Sequence, residues 1–355
     1  MKGDTNADSS YSTLVCAAAC SRSNGLCRKR VAQSGEAGYR VGVILTLTGG
    51  PARAGTRERD GAIAAAEQIN SAGGIHGRKL DLVIEDDAAD PNAAVIAFNK
   101  LANRGDLAAV IGATLGAATM AVSPLSKRAG IPHMAPNATY EVTRTGNDYL
   151  FRVFVPADVE VDATIALLKR KKFARIGILH STDAYGKQGA DLIRGAKDLN
   201  IVAVEAFALS ATDVTPQLTK IRSARPDVIL VWAGTPFAGL AVKNAGQLGI
   251  TGPLISGTAA SSQEGSLDAA RGSSALANWL VASTIDPGNP LPRQAAAVKA
   301  LKEKYGYEPD GFVAAGWDAV HLLAAALRSA GPNPTREAIQ GALEQTRDAE
   351  LLGGI

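Results

Sequence analysis

Ala108-Ala109-Val110-Ile111-Gly112-Ala113-Thr114-Leu115-Gly116-Ala117-Ala118-Thr119 passes, without a single charge, from an apolar run into a loop of small residues. Residues 108–112 predict a buried strand, and residues 117–129 predict the helix that follows it. The same succession surrounds this segment. Upstream, residues 41–46 read as a strand ending in Leu47-Thr48-Gly49-Gly50-Pro51, and residues 57–71 as a helix stopped by Gly73-Gly74. Residues 79–85 and 91–104 repeat the pair, and residues 132–135 form a further short strand. Such alternation predicts a parallel sheet with helices on both faces.

The pattern breaks near residues 151–156 and then resumes. Strands are expected at 175–180, 201–208, 228–232 and 253–256, with helices at 185–198, 215–223 and 236–248. Two similar halves in 355 residues point to two doubly wound α/β lobes rather than one large sheet. The tail differs. Residues 280–284 are extended, and two helices follow at 293–304 and 312–330. The second places Val313, Ala314, Trp317, Val320, Leu323 and Leu327 on one face, suited to packing on a sheet. The chain ends in Leu351-Leu352-Gly353-Gly354-Ile355, where another strand is expected, so a truncated sequence is inferred.

Composition excludes several classes. Hydrophobic residues make up 46% of the chain, enough for a packed core. A net charge of +3 with dispersed basic residues excludes a basic nucleic-acid face. No apolar run reaches the roughly 20 residues of a membrane helix. Cys16, Cys20 and Cys27 all lie near the start, so no disulfide framework supports the fold. No histidine or fourth cysteine lies close enough to them to complete a metal site. Residues 1–38 read as a disordered or atypical leader. Ala17-Ala18-Ala19-Cys20 faintly resembles a lipoprotein cleavage site, without the leucine usual at Ala17.

Ligands of open parallel sheets bind outside the carboxyl ends of the strands. The loop 112–119 lies at such an end. Its small residues allow close backbone approach, and the helix start offers free N–H groups and a positive dipole end, together a cradle for a carboxylate. A plain tight turn is the alternative. Asn137 and Thr139, beyond the next strand, add hydrogen bonds to the same anion or cap their own turn. Thr235 and Phe237 follow the strand 228–232 and belong to the opposing set of strand ends. No Gly-Lys-Ser/Thr and no helix-opening G-x-G-x-x-G occurs, which disfavours nucleotide binding, and no cofactor or metal site is expected. His76, His133, His180 and His321 fall in different elements. His180 with Ser181 and Asp183 spells a triad in text, but triads converge from separate segments. Glu85-Asp86-Asp87 reads as a turn of solvated acids rather than a cation site. A binding protein, not an enzyme, is expected.

Residues 39–51, Ala66-Glu67-Gln68-Ile69-Asn70-Ser71-Ala72-Gly73-Gly74-Ile75 and 112–119, in order with Ala135-Pro136 and Tyr185-Gly186, resemble the type I periplasmic solute-binding proteins. The nearest branch is that of the leucine/isoleucine/valine-binding proteins. The resemblance runs from about Tyr39 to the C-terminus. It implies an N-terminal lobe of residues 39–152 and 285–349 and a C-terminal lobe of 153–284 and 350–355. Three crossing segments would join them, near 151–156, near 282–286 and near the end of the chain. It also implies hinge closure on a small carboxylate, the membrane permease of an ABC importer as partner, a monomer, and a periplasmic location.

By the same resemblance, Leu115, Gly116 and Ala117 hold the ligand carboxylate, with Asn137 and Thr139 as the next contacts. Tyr185 is a cleft tyrosine of the second lobe, and Phe312 a hydrophobic wall. Three departures stand out. Relatives often carry serine where Gly116 stands. The acidic residue that pairs a ligand ammonium falls on Thr258, and another usual tyrosine falls on Gly234. A buried ammonium without a partner is costly, on the order of several kcal/mol. A hydrophobic or branched-chain amino acid therefore competes with a benzoate- or cinnamate-like acid, walled by Tyr185, Phe237, Phe312 and Trp232, the last of which, lying within a strand, is equally suited to packing inside its lobe. A ligand-sensing receptor domain of the same fold is the remaining alternative.

Overall fold

The computed structural model describes residues 38–347 and 351–353. The leader, with Cys16, Cys20 and Cys27, lies outside the described residues apart from Gly38. The first lobe carries strands β1 (Tyr39–Leu45), β2 (Leu80–Asp86), β3 (Leu107–Gly112), β4 (His133–Ala135) and β5 (Leu150–Arg152), and helices α1 (Ala52–Ser71), α2 (Pro91–Ala102) and α3 (Gly116–Ala129). The strands run parallel in the order β2-β1-β3-β4-β5.

The chain then crosses into the second lobe. There α4 (Ala157–Lys171), α5 (Ala184–Gly195), α6 (Thr215–Ser223), α7 (Phe237–Gln247) and the single turn α8 (Asp268–Ala270) alternate with β6 (Ile176–Ser181), β7 (Ile201–Phe207), β8 (Val228–Trp232), β9 (Leu254–Ser256) and β10 (Trp279–Val281). The sheet order is β10-β9-β8-β6-β7. Counted from its own first strand, that is the order of the first lobe reversed in listing only. In each, the chain direction switches between the first and third strands, at β1/β3 and at β6/β8. The crevice above such a switch point is where doubly wound sheets hold ligands.

After β10 the chain returns to the first lobe as α9 (Ala295–Tyr305), α10 (Gly311–Ala330) and α11 (Arg336–Gln345). The apolar face expected on α10 is in place: Val313, Ala314, Trp317, Val320, Leu323 and Leu327 all lie in the core beneath β1 and β3. Helix α10 lies against α1 at very short range. A Cβ on Gly61 would stand 2.0 Å from the carbonyl oxygen of Val313, and one on Gly316 would stand 1.9 Å from that of Glu58. Only glycine admits that approach.

The alternation read from the sequence omits β5 and α4. Strand β5 has three residues, too few for a period to register. Helix α4 buries only Ala157, Glu160, Val161, Thr164 and Leu168, so two of its five buried positions are polar and its apolar stripe is faint. Helix α1 starts at Ala52, earlier than expected, because Pro51 stands at its N-cap. The end of the chain also departs from expectation. Leu352, assigned to the second lobe, packs in the core of the first. The buried Asp318 carboxylate fixes it there by accepting the N–H groups of Leu352 (2.6 Å) and Gly353 (2.8 Å). Among the described residues the chain passes between the lobes twice, after β5 and after β10. No helix among them is long and apolar enough to cross a membrane.

Candidate functional site

The loops that leave β1, β3 and β4 in the first lobe, and β6, β8 and β9 in the second, meet around one pocket. Its empty volume is about 620 Å³ including the open mouth. The walls are largely apolar: Leu115, Phe154, Leu209, Phe237 and Phe312 supply most of the bulk. Phe154, from the first crossing, stacks on Phe312 at the start of α10, with ring centroids 5.9 Å apart. Phe237, at the start of α7, packs against Phe207 at 6.4 Å.

The first-lobe edge of the pocket is polar. Leu115 is the N-cap of α3 and provides no side-chain acceptor. The first-turn N–H groups of a helix have no partner within it, so this end is open to an anion and carries the positive end of the helix dipole. Neighbouring hydroxyls are arranged around it. Thr114 donates to the buried Glu58 carboxylate at 2.6 Å and accepts the N–H of Thr46 at 3.1 Å, tying the loops after β1 and β3 together. Burial pushes the Glu58 carboxyl well above its ordinary value.

Thr139 lies against the same helix start. A Cβ on Gly116 would stand 2.0 Å from Thr139 Oγ1. The residue that seemed to have lost a serine hydroxyl is thus a glycine because a threonine hydroxyl from the next loop takes its place. Asn137 borders the pocket, but its side chain is engaged in holding the loops. Its amide donates to the Ala113 carbonyl (3.1 Å) and to Thr119 Oγ1 (2.9 Å), and its oxygen accepts the Thr139 N–H at 3.2 Å.

On the second lobe Tyr185 presents its ring to the pocket and stacks on Trp232 at 5.9 Å. Trp232 is fully buried and belongs to the core behind the wall. The Tyr185 hydroxyl donates to Glu160 at 2.9 Å. Gly234 and Thr235 line the pocket, and Thr235 is held by its N–H to the Ala259 carbonyl at 2.9 Å and by the Ser266 hydroxyl at 2.9 Å.

Two expected residues fall elsewhere. Thr258 is buried behind the wall, where both its N–H and its hydroxyl bind the Glu160 carboxylate. It is drawn inward because that buried carboxylate needs donors. Desolvation raises the Glu160 carboxyl to about 7 against the pull of those hydrogen bonds. The Ala117 side chain borders a separate groove on the outer side of α3, with Met120, Glu141 and Lys187, as its position one residue on from Gly116 dictates.

Other expectations are also revised. Glu85-Asp86-Asp87 is not a solvated turn throughout. Asp87 is fully buried and accepts the Thr46 hydroxyl at 2.6 Å, while Asp86 accepts Thr48 Oγ1 and the Leu47 N–H. Together they shape the loop after β1. His180 directs Nδ1 to the Ser181 carbonyl at 2.8 Å, and His133 is buried against the Gly112 carbonyl, its pKa lowered to about 4 by burial.

Asp183, considered in the sequence only as part of a His-Ser-Asp string, has a different place in the structure. It caps α5 and lines the pocket. Its spacing from α5, an acid followed three residues later by a bonded glycine N–H, was a legible capping signal. That spacing places the residue at the carboxyl end of β6, the switch strand.

The fold agrees with comparison to known proteins. Residues 38–355 match the family described as Periplasmic binding protein. The chain belongs to the periplasmic binding protein family. Among its relatives is an amino acid binding protein of Pseudomonas aeruginosa, 32% identical over 84% of this chain and 81% of that protein. Another is the Leu/Ile/Val-binding protein homolog 1 of Brucella abortus, 29% identical over 89% of this chain and 85% of its own length. The crystal structure of the branched-chain amino acid transporter substrate binding protein LivJ of Streptococcus pneumoniae, in complex with isoleucine, superposes with a TM-score of 0.82. It is 27% identical and the match covers 89% of this chain and 90% of that one. In this family setting, the pocket at the paired switch points is the candidate solute site.

Proposed function

We propose that this chain is the extracytoplasmic substrate-binding protein of an ABC importer, and that its ligand is a hydrophobic amino acid held between the lobes by hinge closure. One observation carries the reading: a largely apolar pocket has, on its first-lobe side, a polar edge formed by the uncapped start of α3 and by Thr139. An amino acid enters with its carboxylate on that edge and its side chain among Leu115, Phe154, Leu209, Phe237 and Phe312. Each charge-assisted hydrogen bond to the carboxylate is worth roughly 1.5–3 kcal/mol.

Both lobes contribute walls, so the closed form is selected by contacts that the open form cannot make together. The lobes also touch beside the pocket. Gln188 on α5 accepts the Tyr140 N–H at 2.6 Å and donates to the Glu141 carboxylate. In this reading the protein acts outside the cytoplasm as a monomer and presents the closed form to its permease.

The ring wall of Phe154, Tyr185, Phe237 and Phe312 favours a second reading, an aromatic carboxylate. Thermal shift and titration calorimetry with L-leucine, L-isoleucine, L-valine and L-phenylalanine against benzoate and cinnamate separate the two. A ligand that binds only the native state raises its melting temperature. Stabilisation by amino acids alone supports the first reading, and stabilisation by aromatic acids alone replaces it with the second.

A further inference from the structure

The charge pattern of the pocket goes further than its shape. Among the described residues, Asp183 is the only formally charged side chain that lines the pocket; no lysine, arginine or histidine among them does. A site built solely for a carboxylate would gain nothing from an acid and would be weakened by one, because like charges in a partly desolvated cleft repel. Asp183 caps α5, and its place on the pocket wall sets a negative charge where a positive group on the ligand would be favoured.

The geometry of Asp183 fits that role. Oδ1 accepts both the Ser181 hydroxyl and the Gly186 N–H, the latter at 3.3 Å. These two bonds fix the plane of the carboxylate at the end of β6. Oδ2 has no hydrogen-bond partner among the described residues. The other acid near this wall, Glu160, is not a lining residue; Tyr185 and Thr258 use its oxygens. Asp183 stands on the second lobe, while the start of α3 and Thr139 stand on the first.

We infer that Asp183 receives the ligand's ammonium group, which makes the pocket selective for a zwitterionic amino acid with an uncharged apolar side chain. This inference rests on the amino-acid reading above and deepens it. The acid missing at Thr258 is supplied from a different element. It also assigns one charged end of the ligand to each lobe, carboxylate to the first and ammonium to the second. A zwitterion then bridges the cleft in a way that a bare carboxylate does not, and closure itself becomes a test for the ammonium.

The variant of choice is Asp183→Asn, because asparagine caps a helix as well as aspartate does and keeps the oxygen that accepts Gly186 N–H. Calorimetry would compare L-leucine and L-phenylalanine with their deaminated counterparts, 4-methylpentanoate and 3-phenylpropanoate. The wild-type protein is expected to prefer at least one amino acid over its deaminated partner by 10-fold or more. In Asp183→Asn that amino acid should weaken by 10- to 100-fold, while the deaminated acid binds as before or more tightly. A circular-dichroism melt within a few degrees of wild type shows that the variant is folded. If an amino acid binds both proteins within threefold, or if both ligand classes weaken equally, Asp183 is not the ammonium receptor and the inference falls while the amino-acid reading stands. If wild-type protein binds the deaminated acids or benzoate but no amino acid, the amino-acid reading falls as well.

Discussion

Glu160 lies in the second lobe, 3% exposed, behind the wall that Tyr185 presents to the cleft. Burial raises its carboxyl from an ordinary 4.5 to about 7, although Thr258 and Tyr185 donate to it. The native state thus keeps a proton that the unfolded chain has already released. Below pH 4.5 both states hold the proton and the group is neutral in its effect. As pH rises from 4.5 toward 7 the native state holds more protons than the unfolded one, so stability falls. Above about 7 both are ionised and the loss is complete. The gap between 4.5 and about 7, at ~1.4 kcal/mol per pH unit, amounts to ~3 kcal/mol.

Glu160→Gln should remove this dependence. Gln has the same shape, and its oxygen can accept from the Tyr185 hydroxyl and the Thr258 N–H while its amide donates to Thr258 Oγ1. Neutral hydrogen bonds are weaker than charged ones by roughly 1 kcal/mol. The variant should therefore equal or slightly trail wild type at pH 5 and exceed it by ~1–3 kcal/mol at pH 8. Urea unfolding of both proteins from pH 5 to pH 8 measures the difference. Asp318, raised to about 6 by burial, titrates equally in both and cancels. A wild-type-to-variant gap that stays constant with pH, or a variant less stable at pH 8, would refute the argument that burial outweighs the three donors.

The remaining predictions concern the cleft. Gly116→Ser places a Cβ about where Thr139 Oγ1 sits, 2.0 Å away, and should weaken ligand binding at least tenfold by calorimetry; combining it with Thr139→Ala should recover part of the loss. Thr139→Ala alone should weaken binding by roughly 1–3 kcal/mol through a lost buried hydrogen bond, and an unchanged affinity would remove Thr139 from the site. Gln188→Ala deletes the contacts to Tyr140 and Glu141 that join the lobes beside the pocket. Its two hydrogen bonds, at roughly 1 kcal/mol each, should shift the apparent affinity about tenfold or more, with faster ligand release in stopped-flow. An unchanged release rate would mean that these contacts do not hold the closed form.

The fold was legible where local pattern and tertiary role coincide. Strands β3 and β8 are continuous apolar runs, and β1 and β6 nearly so, because helices cover both faces of each sheet, and the positions of the functional loops follow from the ends of those strands. Helix α10 was legible for the same reason: its stripe of Val313, Trp317, Val320 and Leu323 is buried in a single core. What escaped was set by distant partners. Helix α4 gives a weak stripe because it buries Glu160, and nothing near Glu160 in sequence announces Thr258, 98 residues away, as its donor. Thr258 was read as a cleft residue for lack of that partner. The assignment of the last residues to the second lobe failed similarly, since Asp318 holds Leu352 across 34 residues.

The site residues follow a related logic. A resemblance transfers roles one position at a time, but a pocket requires only that a group arrive at the right place in space. At Gly116 the expected hydroxyl is missing, and read position by position this weakens the anion site. In the folded chain Thr139 comes from the following loop, close enough that a side chain at 116 would force it to shift, so a hydroxyl still stands beside the helix start. The acid at the other end admits the same treatment. Thr258 turns inward to Glu160, and the one charge among the described pocket-lining residues comes from Asp183, at the end of β6, which β8 separates from β9. Two departures that counted separately against an amino-acid ligand then become one pattern, in which each polar group comes from a different loop while the pocket keeps its place above the switch points. That pattern can be broken at either end alone. Asp183→Asn should affect only ligands that carry an ammonium, and Thr139→Ala should weaken every carboxylate, aminated or not.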